Sequence, residues 1–148
     1  MPSNFPLRIY RASHWLYGAG YKRSSIVLKQ LNLFMWGVDI SPATSIGDID
    51  LPHPAGVVIG KGAVIEDHCQ IMSGVVLGTD HPGSVDPEMP VLRAGCVVGA
   101  GAKILGAVEL GPGARVGANA VVTKSVPAGT TVVGVPARAL ASRALDED

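Results

Sequence analysis

The sequence predicts an all-β solenoid, a fold in which short strands wind as stacked coils around one continuous core. The first observation is a six-residue repeat of aliphatic side chains through most of the chain. The second is a small or β-branched residue two positions before the aliphatic one, and the third is a glycine directly after many of them. The aliphatic positions are Ile59, Ile65, Ile71 and Leu77, then Leu92, Val98, Ile104, Leu110, Val116 and Val122.

Strand geometry explains this repeat. Residues two apart on a strand point to the same side, so each unit turns one large and one smaller side chain inward. A glycine after the aliphatic position permits a sharp corner that a Cβ would strain. Three units close a three-sided coil, and coils that stack in parallel bury a one-dimensional core. The strands of a β-sandwich, the alternative fold, do not keep a period of six over consecutive steps.

Two interruptions break the repeat. Ile46 and Ile59 are thirteen residues apart, one more than two repeats. Leu77 and Leu92 are fifteen apart, and residues 78–90 between them, GTDHPGSVDPEMP, hold three Pro and two Gly. That composition predicts an extruded loop. Loops on a rigid scaffold commonly carry functional residues, so a site is expected there.

The two ends of the chain differ from the repeat and divide it into three parts. Residues 1–38 are predicted to be a helical cap, with helices over 7–17 and 24–36 that hold most of the aromatic side chains. The cap is expected to close the open end of the coil, and a docking patch for a membrane or a partner is the alternative. Residues 39–136 form the coil. Residues 137–148 are predicted to form a short helix and tail, because PARALASRAL reads as a closing helix.

Composition excludes several classes of function. The chain has 148 residues, of which 12 are basic and 12 acidic, so a formal net charge of zero predicts neither a nucleic-acid partner nor an anionic membrane surface. It shows no run of about 20 apolar residues and no signal peptide. The two cysteines fit neither a disulfide framework nor a zinc motif. We therefore expect a cytoplasmic protein without a metal.

A longer segment carries a resemblance to a known family. Residues 97–140, VVGAGAKILGAVELGPGARVGANAVVTKSVPAGTTVVGVPARAL, resemble the C-terminal half of the hexapeptide-repeat acetyltransferases. The similarity is greatest to serine acetyltransferases and extends to the maltose and galactoside acetyltransferases. The resemblance implies a left-handed parallel β-helix, a homotrimer, and acetyl-coenzyme A bound in a groove between neighbouring subunits.

The resemblance also implies a catalytic histidine. LPHPAGVVIG, residues 51–60, is similar to the stretch that holds the catalytic His of serine acetyltransferases, which assigns that role to His53. Asp39 in VDISPATSIG matches the carboxylate that orients this imidazole. TDHPGSVDP, residues 79–87, is similar to the catalytic loop of the maltose and galactoside enzymes, which makes His81 the second candidate. An imidazole suits the role of base because its unperturbed pKa of ~6.5 lies near neutral pH.

Five positions match the coenzyme A site of the family. Small side chains at two of them would let the pantetheine pass, and basic side chains would meet the phosphates. These positions are Ala100, Ala118, Thr123, Lys124 and Arg138. Cys69 and Cys96 fall on inward repeat positions and are expected to be inert core thiols.

Departures from the family bear on the acceptor. Pro52 stands where serine acetyltransferases have an acidic residue, and Glu88 and Met89 stand where they have a basic residue and a second His. Since those groups hold the amino acid, we expect acetyl transfer to the hydroxyl of a sugar or polysaccharide precursor. The alternatives are a serine O-acetyltransferase-type enzyme and a non-catalytic scaffold. A γ-type carbonic anhydrase, which shares the fold, would need three His around a metal at spacings that His53, His68 and His81 do not show.

Overall fold

The computed structural model describes residues 5–141. Two helices, α1 (Phe5–Gly18) and α2 (Lys22–Trp36), precede a series of short strands. The strands are β1 (Asp39–Ile40), β2 (Ser45–Ile46), β3 (Val58–Ile59), β4 (Val64–Ile65), β5 (Gln70–Ile71), β6 (Val76–Gly78), β7 (Val91–Leu92), β8 (Val97–Val98), β9 (Lys103–Leu105), β10 (Glu109–Leu110), β11 (Arg115–Val116), β12 (Val121–Val122), β13 (Thr131–Val133) and β14 (Arg138–Ala139).

The strands form three sheets that confirm a parallel solenoid. Sheet A has the order β1-β3-β6-β9-β12, sheet B β2-β4-β7-β10, and sheet C β5-β8-β11-β13-β14. All neighbours pair in parallel except β13 and β14. Val58 pairs with Val76 and Lys103 with Val121, so one full coil takes 18 residues, or three repeats.

The core is the column of inward side chains that the repeat predicts. Ile59, Ile65 and Ile71 are each at most 1% exposed, and so are the matching aliphatic residues of the later coils through Leu110. The smaller inward positions, such as Ala63 and Ala102, are fully buried beside them. Because each coil contacts only its neighbours, the coil itself is rigid and its corners are left to differ in sequence.

Both predicted interruptions occur at corners of the coil. Asp39 pairs with Val58, nineteen residues on, so the extra residue lies in the corner at 51–57. Val76 pairs with Lys103, a step of twenty-seven, because residues 79–90 leave the coil between β6 and β7. The break predicted at residues 78–90 lies here, although Gly78 itself still belongs to β6 and pairs with Leu105.

The two helices lie over the first coil as a cap. The Tyr10 hydroxyl donates to the Thr44 carbonyl at 2.5 Å, and Nδ1 of His14 lies 2.8 Å from the Pro42 carbonyl oxygen. Leu7 and Tyr10 join the buried core, and burial raises the pKa of the Tyr10 phenol to about 12. Within residues 5–141 no helix is long and apolar enough to cross a bilayer.

The closing helix expected from PARALASRAL is wrong for the part that the structure describes. Residues 134–137 form a turn, and Arg138 and Ala139 form β14, which pairs antiparallel with β13. The Leu140 amide also donates to the Thr131 carbonyl at 2.8 Å. Partners for the backbone along an open strand outweigh the helix propensity of Ala, Leu and Arg. Residues 142–148 lie outside the described residues.

Candidate functional site

Two edges of the three-sided coil carry the predicted functional residues. The CA edge joins sheet C to sheet A and consists of residues 51–57, 72–75, 99–102 and 117–120. The AB edge joins sheet A to sheet B and consists of residues 41–44, 60–63, 79–90, 106–108 and 123–125. The two edges lie on opposite sides of sheet A, so one chain separates the residues of one edge from those of the other.

The CA edge is a continuous backbone ladder. One amide per corner donates to a carbonyl of the preceding corner, at distances of 2.8 to 3.0 Å. The donor–acceptor pairs are Gly56 to Gly37, Gly74 to Ala55, Gly101 to Ser73, and Asn119 to Ala100. Ala100 and Ala118 occupy equivalent places in this ladder, one coil apart. A Cβ at Gly99 would lie 2.7 Å from the Ala118 amide nitrogen, so glycine is required for this close stacking.

His53 lies on the same CA edge, in the corner that holds the extra residue. Its side chain is exposed between Pro52 and Pro54, and the Val57 amide closes the turn on the Pro54 carbonyl at 3.2 Å. Two flanking prolines restrict the backbone on both sides of the imidazole. His53, Ala100 and Ala118, all assigned from the family resemblance, therefore share one edge.

Asp39 begins the neighbouring strand of the first coil but does not pair with His53. Its carboxylate binds Nζ of Lys29 at 2.8 Å, an ion pair that links α2 to sheet A. Among residues 5–141 no hydrogen bond joins Asp39 to the imidazole of His53. Sequence analysis missed Lys29, because no repeat or motif relates it to Asp39, which lies ten positions away across the boundary between cap and coil.

His81 lies on the AB edge with a carboxylate partner that the sequence analysis missed. Its Nδ1 lies 2.8 Å from Oδ1 of Asp80, and the imidazole is 83% exposed. This hydrogen bond raises the pKa of His81 and lowers the pKa of the Asp80 carboxyl. Asp80 packs over the next coil, since a Cβ at Gly106 would lie 2.8 Å from its Cγ. This pairing could have been predicted, because Asp80 directly precedes His81 in the sequence.

Three of the predicted cofactor residues line one cavity, two of them from the AB edge and the third, Arg138, from β14 of sheet C. Thr123, Lys124 and Arg138 line a depression of about 160 Å³. Val122, Val126 and Val132 contribute apolar walls. Both basic side chains belong to exposed residues, so they are free to reach an anionic ligand. The turn at 134–137 lies beside this cavity and against β12, because the Ala137 amide donates to the Val121 carbonyl at 2.9 Å.

The positions that depart from the family have clear places in the structure. Met89 packs over the coil, where a Cβ at Gly60 would lie 2.5 Å from its Cε, and it is partly buried against the core. Glu88 is exposed on the loop beside it. Pro52 directly precedes His53. These three residues therefore lie on both edges, near the two candidate histidines.

The remaining nucleophiles and metal ligands have structural roles. Cys69 and Cys96 are buried in adjacent coils, where each thiol donates to a backbone carbonyl, and the neighbouring Cys69 thiol together with burial raises the pKa of the Cys96 thiol. His68 is exposed. In the part of the chain that the structure describes, no group of three His, Cys, Asp or Glu side chains is placed to hold a metal ion.

Comparison with known proteins identifies the repeats. Residues 89–124 match the family of bacterial transferase hexapeptides (six repeats). A serine acetyltransferase of Salmonella typhimurium is 46% identical over 133 residues, which make up 89% of this chain and 48% of that protein.

Solved structures agree with this match. The crystal structure of serine acetyltransferase in complex with coenzyme A from Brucella abortus superimposes with a TM-score of 0.91 and 38% identity, covering 95% of this chain and 56% of that one. Soybean serine acetyltransferase complexed with serine gives a TM-score of 0.88 and 37% identity, covering 91% and 56%.

These relatives bear on the expected acceptor. The chain spans about half the length of the curated relatives it matches, 48% of the Salmonella protein. Those relatives are named serine acetyltransferases, so they favour the serine-type alternative over the sugar acceptor that the sequence departures predicted.

Proposed function

Because the chain belongs to the hexapeptide-repeat transferases, we propose that it transfers an acetyl group from acetyl-coenzyme A to the hydroxyl of L-serine or a close analogue. The observation that carries the proposal is the CA edge, where an exposed imidazole and two small corner residues lie along one backbone ladder. Similarity to a coenzyme A complex and to a serine complex supports both substrates. The same similarity supports a left-handed winding of the coil.

His53 is the proposed general base. Its imidazole would take the hydroxyl proton of the acceptor as that oxygen attacks the thioester carbonyl. The tetrahedral intermediate would then expel the coenzyme A thiolate, which recovers the proton from the imidazolium. Such a base typically contributes about 10²–10⁴-fold to the rate. Asp39 would orient the imidazole after exchanging its contact with Lys29, which is an ion pair at a partly exposed site.

His81 is the competing base. Its Nδ1 is already paired with Asp80, which leaves Nε2 for the acceptor. The raised pKa keeps more of its imidazole protonated near neutral pH, so less of it is in the neutral form that can accept a proton there. We assign it a place near the acceptor rather than the proton transfer itself.

Coenzyme A would run along the CA edge of one subunit toward the cavity at the last coils of its neighbour. Ala100 and Ala118 leave room for the pantetheine, since a longer side chain at either corner would project from the ladder. Thr123, Lys124 and Arg138 would bind the phosphates, which fixed cations and hydroxyls hold by charge-assisted hydrogen bonds. No metal is needed for this reaction.

A homotrimer would complete the site. His53 lies on the CA edge and His81 and Lys124 lie on the AB edge, on opposite sides of sheet A of one chain. Around a three-fold axis, the CA edge of each subunit would face the AB edge of its neighbour. This arrangement accounts for a site whose parts one chain holds apart. We assign the trimer to the cytoplasm, where acetyl-coenzyme A is available.

Release of free coenzyme A thiol tests the function. Acetyl-coenzyme A would be incubated with L-serine, simple sugars or nucleotide sugars, using the wild type, His53→Ala and His81→Ala. We expect thiol release with L-serine and a loss of at least about a hundredfold in His53→Ala. His68→Ala, an exposed histidine on neither edge, is the control and should remain active. Thiol release with sugars only would show that the acceptor is a sugar. No thiol release with any acceptor would favour a non-catalytic scaffold.

A further inference from the structure

In the helical hairpin, α2 is amphipathic in the reverse sense to most soluble helices, whereas α1 buries Leu7 and Tyr10 against the coil. Between the two helices the buried side chains form hydrogen bonds: Ser13 Oγ donates to the Ser25 carbonyl at 2.8 Å, and Asn32 Nδ2 donates to the Pro6 carbonyl at 3.1 Å. Ser13, Ser25 and Asn32 are each at most 2% exposed. A soluble helix normally buries its apolar stripe and exposes its polar one.

The outward surface of the hairpin is correspondingly apolar. Val27, Leu31 and Phe34 follow one another at helical spacing on the side of α2 opposite Ser25 and Asn32, and Phe34 is 90% exposed. Trp15 on α1 is 68% exposed. The other large exposed apolar side chains of the hairpin are Phe5, Tyr21, Ile26, Leu33 and Met35. Such a patch marks an interaction site.

Charge and aromatic content indicate what the patch meets. Five of the 12 basic residues and none of the 12 acidic residues lie in residues 1–38, so the zero net charge of the chain conceals a positive cap on an acidic coil. The basic residues are Arg8, Arg11, Lys22, Arg23 and Lys29. All Phe, Trp and Tyr residues of the chain lie in the same segment. Basic residues among exposed Trp, Phe and Leu are typical of helices that lie in a bilayer interface.

We propose that this hairpin is a docking surface for the surface of an anionic phospholipid bilayer. The apolar side chains would enter the boundary between headgroups and acyl chains, with Trp15 and Tyr21 at headgroup level. Arg8 and Arg23, both exposed, would contact the anionic headgroups. A second copy of the hairpin is a poorer partner, because both surfaces carry basic residues without acidic ones and would repel each other. The coil would then project from the bilayer with both edges accessible.

Vesicle sedimentation of the full chain tests the proposal. Vesicles of phosphatidylcholine alone would be compared with vesicles containing about 30% phosphatidylglycerol, at low and high salt. We expect binding to the anionic vesicles that weakens with salt, and a blue shift of tryptophan fluorescence that Trp15→Phe reduces. Absence of binding to the anionic vesicles would overturn the proposal.

Matched variants separate the apolar and the basic contributions. Val27→Ser/Phe34→Ser should lower the partition coefficient at least about tenfold, and Arg8→Gln/Arg23→Gln should lower it about twenty-five-fold, fivefold for each basic residue. Val85→Ser, a fully exposed loop residue, and Lys61→Gln/Arg115→Gln on the coil are the controls and should bind as the wild type does. Thiol release should be retained in all of them. If Val27→Ser/Phe34→Ser instead lowers the mass of the protein in solution, the patch joins copies of this chain and the proposal is wrong.

Discussion

Subunit mixing tests whether the active site uses two edges from two chains. His53→Ala damages only the CA edge, and Lys124→Glu damages only the AB edge, where its new carboxylate would repel the phosphates of coenzyme A. In the proposed trimer with both variants present, each site would take its CA edge from one subunit and its AB edge from the next. Whether the composition is two to one or one to two, one site of the three then combines two intact edges. We therefore expect about one third of the wild-type activity.

The assay needs mixed trimers free of the parent proteins. Co-expressed variants with different affinity tags would be purified in tandem, and thiol release would be measured with acetyl-coenzyme A well below its KM. His53→Ala mixed with Ala118→Trp is the matched control, because both defects lie on the CA edge and no site can combine two intact edges. Recovery near zero in the first mixture, from a protein with the mass of a trimer, would refute the two-edge site and place all of these residues in one chain's site.

Two further predictions concern the core and the loop. Ile104→Ala should lower the free energy of unfolding by about 2–5 kcal/mol in guanidinium denaturation, because this side chain is fully buried in the central column. Val85→Ala, at an exposed loop position, is the control. A loss of stability in Ile104→Ala no greater than that of the control would contradict the packing. Asp80→Asn should lower the pKa of His81 in an NMR titration, because the hydrogen bond to the Asp80 carboxylate raises that pKa. In the wild type the charged pair should persist at pH values above the lowered pKa of Asp80 and below the raised pKa of His81. An unchanged titration of the imidazole in the variant would show that the pair does not form in solution.

The fold was predictable because one period sets every layer of the coil. The six-residue period assigns Ile59, Ile65 and Leu77 to inward positions without any knowledge of the strand bounds, and all three side chains are buried. The same period places Ala100 and Ala118 at equivalent corners, eighteen residues apart. The corner that holds His53 and the extruded loop were visible as breaks in the period. Local rules were sufficient wherever the contacts are between neighbouring coils.

Contacts outside the repeat were not predictable in the same way. The ion pair between Lys29 and Asp39 joins the cap to the coil, and no period relates these two positions. Arg138 and Ala139 suit a helix by composition, but the open edge of β13 supplies the hydrogen bonds that make them a strand. The whole-chain charge of zero hid the positive cap, because an average over the chain discards the position of each charge.

The acceptor can be tested at the position where the sequence and the relatives disagree. Relatives named serine acetyltransferases indicate L-serine, whereas Glu88 stands where the resemblance implies a basic residue for the carboxylate of the amino acid. An exposed carboxylate there would repel that group, so Glu88→Arg should lower the KM for L-serine severalfold and leave the KM for acetyl-coenzyme A unchanged.

Asp86→Arg makes the same change of charge two residues away on the exposed loop, so it separates a local contact from the general field of the protein. If both variants lower the KM for L-serine equally, only the overall charge matters. If Glu88→Arg raises this KM while the enzyme still releases thiol, the carboxylate of Glu88 binds the ammonium group of the acceptor, and the amino acid lies reversed from the orientation that the resemblance implies.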